Sequence, residues 1–161
     1  MQNIDFTGKN YIVTGGAGSI GRAIVEIILD CGGSVCAIDV DEKTLREMET
    51  ELNTPRYTYR ALDLSSTTVI RENFADIIAG YGQLHGLVNC VGLASTMLFE
   101  EITEEEWNKI IQVNLTGVFA AIQSVYTHMK EHGYGRIVNV SSVAGKIGGG
   151  LIGRGAYATS K

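Results

Sequence analysis

Thr14-Gly15-Gly16-Ala17-Gly18-Ser19-Ile20-Gly21 is the stretch that decides the fold. An apolar segment, Tyr11-Ile12-Val13, runs into it and predicts a buried parallel strand. Arg22 to Leu29 follows with apolar residues at helical spacing. Strand, glycine turn and helix make the geometry in which backbone N–H groups and a helix N-terminus face a pyrophosphate. Glycines serve there because a side chain would block the diphosphate or the packing of helix on strand. Gly16, Gly18 and Gly21 satisfy the general G-x-G-x-x-G form, which a glycine turn that binds nothing also satisfies, so the rest of the chain has to decide.

Strand and helix signals alternate outward from that turn. Val35–Ile38 reads as a second strand, and Asp41 as the N-cap of a helix running to about Leu52. Pro55 marks a loop before a third strand, Tyr57–Leu62, and a helix from about Thr67 to Tyr81. Gly86–Val91 is a fourth strand. Thr103-Glu104-Glu105-Glu106 is a capping box opening a helix that carries Trp107, placed for packing with Ile110 and Ile111. A further helix spans about Gly117 to His132, and Arg136–Val140 is a fifth strand. Parallel strands need crossovers, so regular β-α alternation predicts an α/β fold with a doubly wound parallel sheet.

The chain of 161 residues is one domain by length, and 45% hydrophobic residues suffice for a core. A net charge of −5 argues against nucleic acid and anionic membrane as partners. The start, Met1-Gln2-Asn3-Ile4-Asp5, shows no secretory signal, and no apolar stretch reads as long enough to span a bilayer. Cys31, Cys36 and Cys90 are odd in number and form no C-x-x-C pair, which predicts reduced, packed thiols in a cytoplasmic protein; Cys36 and Cys90 fall inside predicted strands. His85, His128 and His132 have no metal-ligand spacing and read as surface or loop residues, so no metal site is expected.

Asp39 ends the second strand. An acidic side chain there accepts hydrogen bonds from both ribose hydroxyls of an adenosine and repels a 2′-phosphate, which favours NAD over NADP; the bland alternative is a share in capping the helix begun near Asp41. Asp63-Leu64 closes the third strand and Asn89-Cys90-Val91-Gly92 the fourth, both at the carboxyl ends where open α/β sheets bind ligands. On its own Asp63 is as well read as a helix cap, and Asn89 as a satisfied turn residue. Tyr157-Ala158-Thr159-Ser160-Lys161 places a phenol and an ammonium at i and i+4, on one helix face. An ammonium beside a phenol favours phenolate, so such a tyrosine moves a proton near neutral pH, as hydride exchange between an alcohol and nicotinamide requires. Strand-end Ser141-Ser142 precedes the pair.

These residues together resemble the short-chain dehydrogenase/reductase family, from about Asp5 to Lys161. The likeness rests on the Thr14–Gly21 turn, Asp63-Leu64, Asn89-Cys90-Val91-Gly92 where the family usually has Asn-Asn-Ala-Gly, Asn114, Gly135 to Ser142, and Tyr157 with Lys161. The Asn114, Ser142, Tyr157 and Lys161 set resembles the shorter subfamily, with its T-G-x-x-x-G-x-G turn, more than the extended one; Ser19 then replaces the middle glycine, harmlessly, since its hydroxyl can meet a phosphate oxygen.

The resemblance implies a Rossmann-type dinucleotide-binding domain. Tyr157 would be the general acid/base, and Ser142, rather than Ser141, would hold the substrate oxygen. Lys161 would assist the tyrosine and bond the nicotinamide ribose. Asn114, in a helix break before Leu115-Thr116-Gly117, would hold a proton-relaying water, or else cap a helix. Gly15, Ser19, Ile20, Gly21, Asp39, Asp63, Leu64, Asn89, Val91 and Gly92, with Tyr157 and Lys161, would hold the cofactor. The implied activity is NAD-dependent hydride exchange with a small-molecule secondary alcohol or ketone, in a homo-oligomer paired through the Gly117–His132 and Tyr157 helices. A sugar, polyol or hydroxy-acid dehydrogenase and a 3-oxoacyl reductase both remain open, Asp39 leaning against the latter.

Two further departures shape the expectations. The glycine-rich stretch Gly145–Gly155 is slightly longer than in many members and is expected to be mobile until a ligand orders it. Family members continue past the position of Lys161 with more of the catalytic helix, a further strand and the helices that cover the substrate. The 161 residues alone are therefore expected to be a C-terminally incomplete domain with a fraying terminal lysine and little turnover. The rival reading is a nucleotide-binding protein without catalysis.

Overall fold

The computed structural model describes residues 4–150 and 155–161. Five strands, β1 (Asn10–Thr14), β2 (Ser34–Asp39), β3 (Tyr57–Ala61), β4 (Gly86–Asn89) and β5 (Arg136–Asn139), form one sheet in the order β3-β2-β1-β4-β5. Every pairing is parallel. Central β1 pairs Thr14 with Ile38 of β2 on one side and with Asn89 of β4 on the other. The winding reverses between β1 and β4, and a crevice opens there at the carboxyl ends, as in other doubly wound sheets.

Successive residues of β1 and β2 point to opposite faces, which is why both strands are apolar throughout. On one face Val13, Val35 and Ala37 pack against α1 (Ser19–Asp30) and α2 (Glu42–Leu52) through Val25, Ile28, Leu29, Leu45 and Met48. On the other, Ile12, Cys36, Ile38 and Leu87 pack against α3 (Thr67–Tyr81) and α5 (Val118–Glu131) through Ile70, Phe74, Ile77, Ala120, Ala121 and Val125. Phe74 is fully buried, and truncating such a side chain to alanine costs about 3–5 kcal/mol.

The capping signals hold with one simplification. Asp41 caps α2 by accepting from Thr44 N at 3.1 Å, Ser66 caps α3 by accepting from Val69 N at 3.4 Å, and Thr103 caps α4 (Glu104–Ile111) by accepting from Glu106 N at 3.1 Å. For Thr103 this is the threonine half of the expected box.

Asn114 does not lie in a helix break. Residues Gln112–Gly117 form a π-turn that joins α4 to α5 in one continuous helix, Glu104–Glu131. That helix is long and apolar enough to cross a membrane by length and composition, contrary to the sequence reading, but its Ala120, Ala121, Val125 and Met129 are spent in the core. Three further expectations change. Cys90 sits past the end of β4 rather than inside it. His128 lies on α5 rather than in a loop, whereas His85 lies in the loop before β4 as expected; both are partly buried acceptors, His85 Nδ1 from Asn10 N and His128 Nε2 from Leu84 N, each at 3.1 Å. Trp107 is 37% exposed while Ile110 below it is buried.

The glycine-rich stretch after β5 opens with a short helix, α6 (Ala144–Ile147). Leu151–Arg154, on which the expectation of mobility partly falls, lie outside the described residues. A last helix, α7 (Ala156–Ser160), carries Tyr157.

Candidate active site

The turn after β1 shows why two of its glycines are needed. Gly15 has φ +69°, and a Cβ there would lie 2.7 Å from Val91 N in the loop after β4. A Cβ on Gly21 would collide with the carbonyl oxygen of Gly15, so helix and turn close on each other only as glycines. Gly15 and Gly21 are fixed points of the shorter-subfamily spacing. Ser19 and Ile20 are exposed on the first turn of α1, whose N-cap, Gly18, supplies no side-chain bond and whose first turn holds no acid. A helix N-terminus left uncapped beside a crevice suits an anionic diphosphate.

A cleft of about 400 Å³ opens beside this turn. Gly15, Asp39, Asp63, Leu64, Val91 and Gly92 line it together with Gly18, so half of the twelve residues expected to hold a cofactor meet at this cleft. Asp39 Oδ2 accepts from Ala17 N at 3.1 Å and Oδ1 from Asp41 N at 3.2 Å, tying the end of β2 to the glycine turn. Asp41 supplies the side-chain cap of α2, and Asp39 fixes the backbone of that cap residue. Asp63 Oδ1 accepts from Ser65 N at 2.8 Å, a local turn, and Ser66 is the cap of α3. The walls are apolar, from Leu62, Leu64, Val91 and Val113, and the lining also holds the carboxylates of Asp39 and Asp63 and the amine of Lys109. An uncapped helix end, a carboxylate and an apolar slot fit the diphosphate, ribose and base of a dinucleotide.

Asn89 is placed differently. It is buried, its Oδ1 accepts from Thr14 Oγ1 at 3.1 Å, and its Nδ2 donates to Asn139 Oδ1 at 2.9 Å. These bonds run across β1, β4 and β5 and stitch the strand ends together.

The second group gathers around α7. Lys161 Nζ donates to Val91 O at 3.2 Å and Val140 O at 3.1 Å, bridging the carboxyl ends of β4 and β5. The lysine is therefore held rather than frayed. Its Nζ lies 6.0 Å from the centroid of the Tyr157 ring, as the i, i+4 spacing requires. A Cβ on Gly92 would come within 3.2 Å of that Nζ. Burial lowers the proton affinity of the Lys161 amine below that of an ordinary lysine, and the nearby Cys90 acts weakly the other way. Cys90 also lines the cleft, where burial raises its thiol and Lys161 lowers it.

Asn114 is buried, and every polar atom of its side chain is engaged. Oδ1 accepts from Leu93 N at 2.8 Å; Nδ2 donates to Leu93 O and to Ser160 Oγ, both at 2.9 Å. It joins the loop after β4 to the helix of Tyr157, a link that neither a cap nor a break describes. Ser142 Oγ accepts from Ala144 N at 3.2 Å at the mouth of α6, and Ser141 Oγ donates to Lys161 O at 2.8 Å. Gln112, unremarked in the sequence, bonds the loop after β3; only its place on the π-turn signals it.

Comparison with known proteins agrees with this geometry. The family model of the short chain dehydrogenases matches residues 9–161. The acetoacetyl-CoA reductase of Rhizobium meliloti is 34% identical over 138 residues, 85% of this chain and 56% of the relative. The 3-oxoacyl-(acyl-carrier-protein) reductase of Thermotoga maritima is 34% identical over 156 residues, 96% of this chain and 63% of the relative. An NAD+-bound xylitol dehydrogenase structure superposes with a TM-score of 0.89 at 26% identity, covering 97% of this chain and 60% of that one. The chain thus spans roughly three-fifths of the length of these relatives. With the glycine turn, the cleft and the tyrosine–lysine helix in their places on a β3-β2-β1-β4-β5 sheet, the chain belongs to the short-chain dehydrogenase family.

Proposed function

We propose that the protein is an oxidoreductase that exchanges hydride between NAD(H) and the carbon of a secondary alcohol or ketone, with Tyr157 as general acid/base. The observation that carries this reading is the Lys161 ammonium, fixed between two strand ends and 6.0 Å from the Tyr157 ring. Tyr157 takes the alcohol proton in one direction and returns a proton to the ketone oxygen in the other, with the lysine beside it. Ser142 orients the substrate oxygen, and Asn114 keeps the tyrosine helix in register with the loop after β4. When bound, the nicotinamide supplies the hydride acceptor or donor. Gly15, Ser19, Ile20 and Gly21 hold its diphosphate, with Asp39 on the adenosine ribose and Asp63, Leu64, Val91 and Gly92 walling the slot.

Asp39 supports NAD over NADP, since a carboxylate at the ribose repels a 2′-phosphate. The residues form a single dinucleotide-binding unit. An exposed stripe on the outer face of the long helix, Leu115, Phe119 and Tyr126, supports a homo-oligomer. Three free thiols support a reducing, cytoplasmic setting.

The test is NADH binding measured beside turnover on a panel of secondary alcohols and ketones, in the intact protein. Tyr157→Phe is expected to lower kcat by at least about a hundredfold, the scale of a lost general acid/base, while NADH affinity stays within a few-fold. Binding without turnover in a chain that continues past Lys161 would overturn the enzyme reading and leave the nucleotide-binding protein.

A further inference from the structure

The π-turn is wound so that two of its residues meet one loop. An i→i+5 bonding pattern stacks Gln112 and Gly117 along a single face, which α-helical winding would not do. Gln112 Nε2 donates to Ser65 O at 2.8 Å. Gly117 packs so closely on Leu64 that a Cβ there would collide with the Leu64 carbonyl oxygen. Leu64 and Ser65 both line the cleft, and Ser65 N is the donor that holds the Asp63 carboxylate at 2.8 Å. Gln112 does not line the cleft itself.

We propose that Gln112 is a positioning residue for nucleotide binding: by gripping Ser65 O it sets the Asp63-Leu64-Ser65 wall against the adenosine end of the cofactor. It acts through that wall and touches no ligand. The same π-turn sends Asn114 the other way, to Leu93 and to Ser160 beside Tyr157, so one irregular turn registers the base-binding wall against the tyrosine helix. The proposal rests on the cleft being a dinucleotide site.

AMP is the probe, because it reports on the adenosine end alone; NADH is measured beside it by fluorescence. Gln112→Leu removes the donor at nearly constant volume and is expected to weaken AMP and NADH alike, by about five- to tenfold, the worth of one partly buried hydrogen bond. Gln112→Glu supplies the readout that a packing role would not move. Its carboxylate repels Ser65 O, but its protonated form donates to it, so the ratio of variant to wild-type AMP affinity should climb toward one as pH falls through the carboxylate range.

Equal AMP affinity for wild type and Gln112→Leu overturns the proposal. So does a Gln112→Glu deficit that stays constant with pH, since that loss would be packing alone. Wild-type protein that binds neither AMP nor NADH overturns the nucleotide reading and this proposal with it; wild-type binding matched by both variants overturns this proposal only.

Discussion

At the scale of single residues, Asp39 joins two functions in one carboxylate. Its bond from Ala17 N draws the glycine turn onto the end of β2, and the same side chain lines the cleft where a ribose is proposed to sit. Asp39→Ala should therefore weaken NADH more than a lost ribose contact alone would, because the turn also loosens. We expect about a tenfold or greater loss in NADH affinity, the scale of hydrogen bonds to a charged group, and a narrowed preference over NADPH. Titrating both nucleotides against the variant checks this; unchanged affinities for both would leave Asp39 a structural brace. The places of such residues were legible in the sequence because they depend on position along the chain: a carboxylate ending β2, a lysine four residues after a tyrosine. The bonds of Asn89 were not. Whether a strand-end asparagine faces a ligand or its neighbouring strands depends on partners 75 and 50 residues away, Thr14 and Asn139, and no local pattern carries that.

At the scale of elements, the two histidine contacts bind the amino ends of β1 and β4 to α5. His85 accepts from Asn10 N and His128 from Leu84 N, and each can do so only while that nitrogen is unprotonated. Burial comes first in lowering the proton affinity of both imidazoles. Lys9 and His132 add to it at His85; at His128 the contributions of His132 and His85 are opposed by Glu131. A histidine whose proton affinity is lower folded than unfolded adds stability above its unfolded value, about 6.5, and loses it as pH falls. The melting temperature should thus fall on acidification from pH 7.5 to 5.5, and His128→Gln should flatten that slope; equal slopes would show that other groups set it. The strands, most helix boundaries and two of the caps followed from alternation and apolar spacing. The π-turn did not, because Gln112-Val113-Asn114-Leu115-Thr116-Gly117 differs from an α-helix in its bonding ring, not in its composition, and an asparagine before a glycine suggests an ending.

At the scale of the whole molecule, the two faces of the sheet are unequally finished. The face under α3 and α5 is covered as far as Ile137 of β5, whereas on the face of α1 and α2 Val138 of β5, in register with Val88, is 51% exposed, and the long helix presents Leu115, Phe119 and Tyr126 to solvent. Phe119 is 58% exposed, and a charge there costs the monomer little. If this stripe joins subunits, Phe119→Glu should shift the intact protein to a smaller sedimenting species without lowering its melting temperature in the dissociated state. A wild-type protein that already sediments as a monomer, or a variant that stays assembled, would place the oligomer contact elsewhere or remove it.

The grip of Lys161 on Val91 O and Val140 O has a consequence for the order of events in biosynthesis. That amine reaches its place only after two strands, contributed by segments far apart in the chain, already lie side by side. The contact between Lys161 and Tyr157 is thereby assembled last, so the proposed proton transfer would be open only to a chain whose β4 and β5 are already paired.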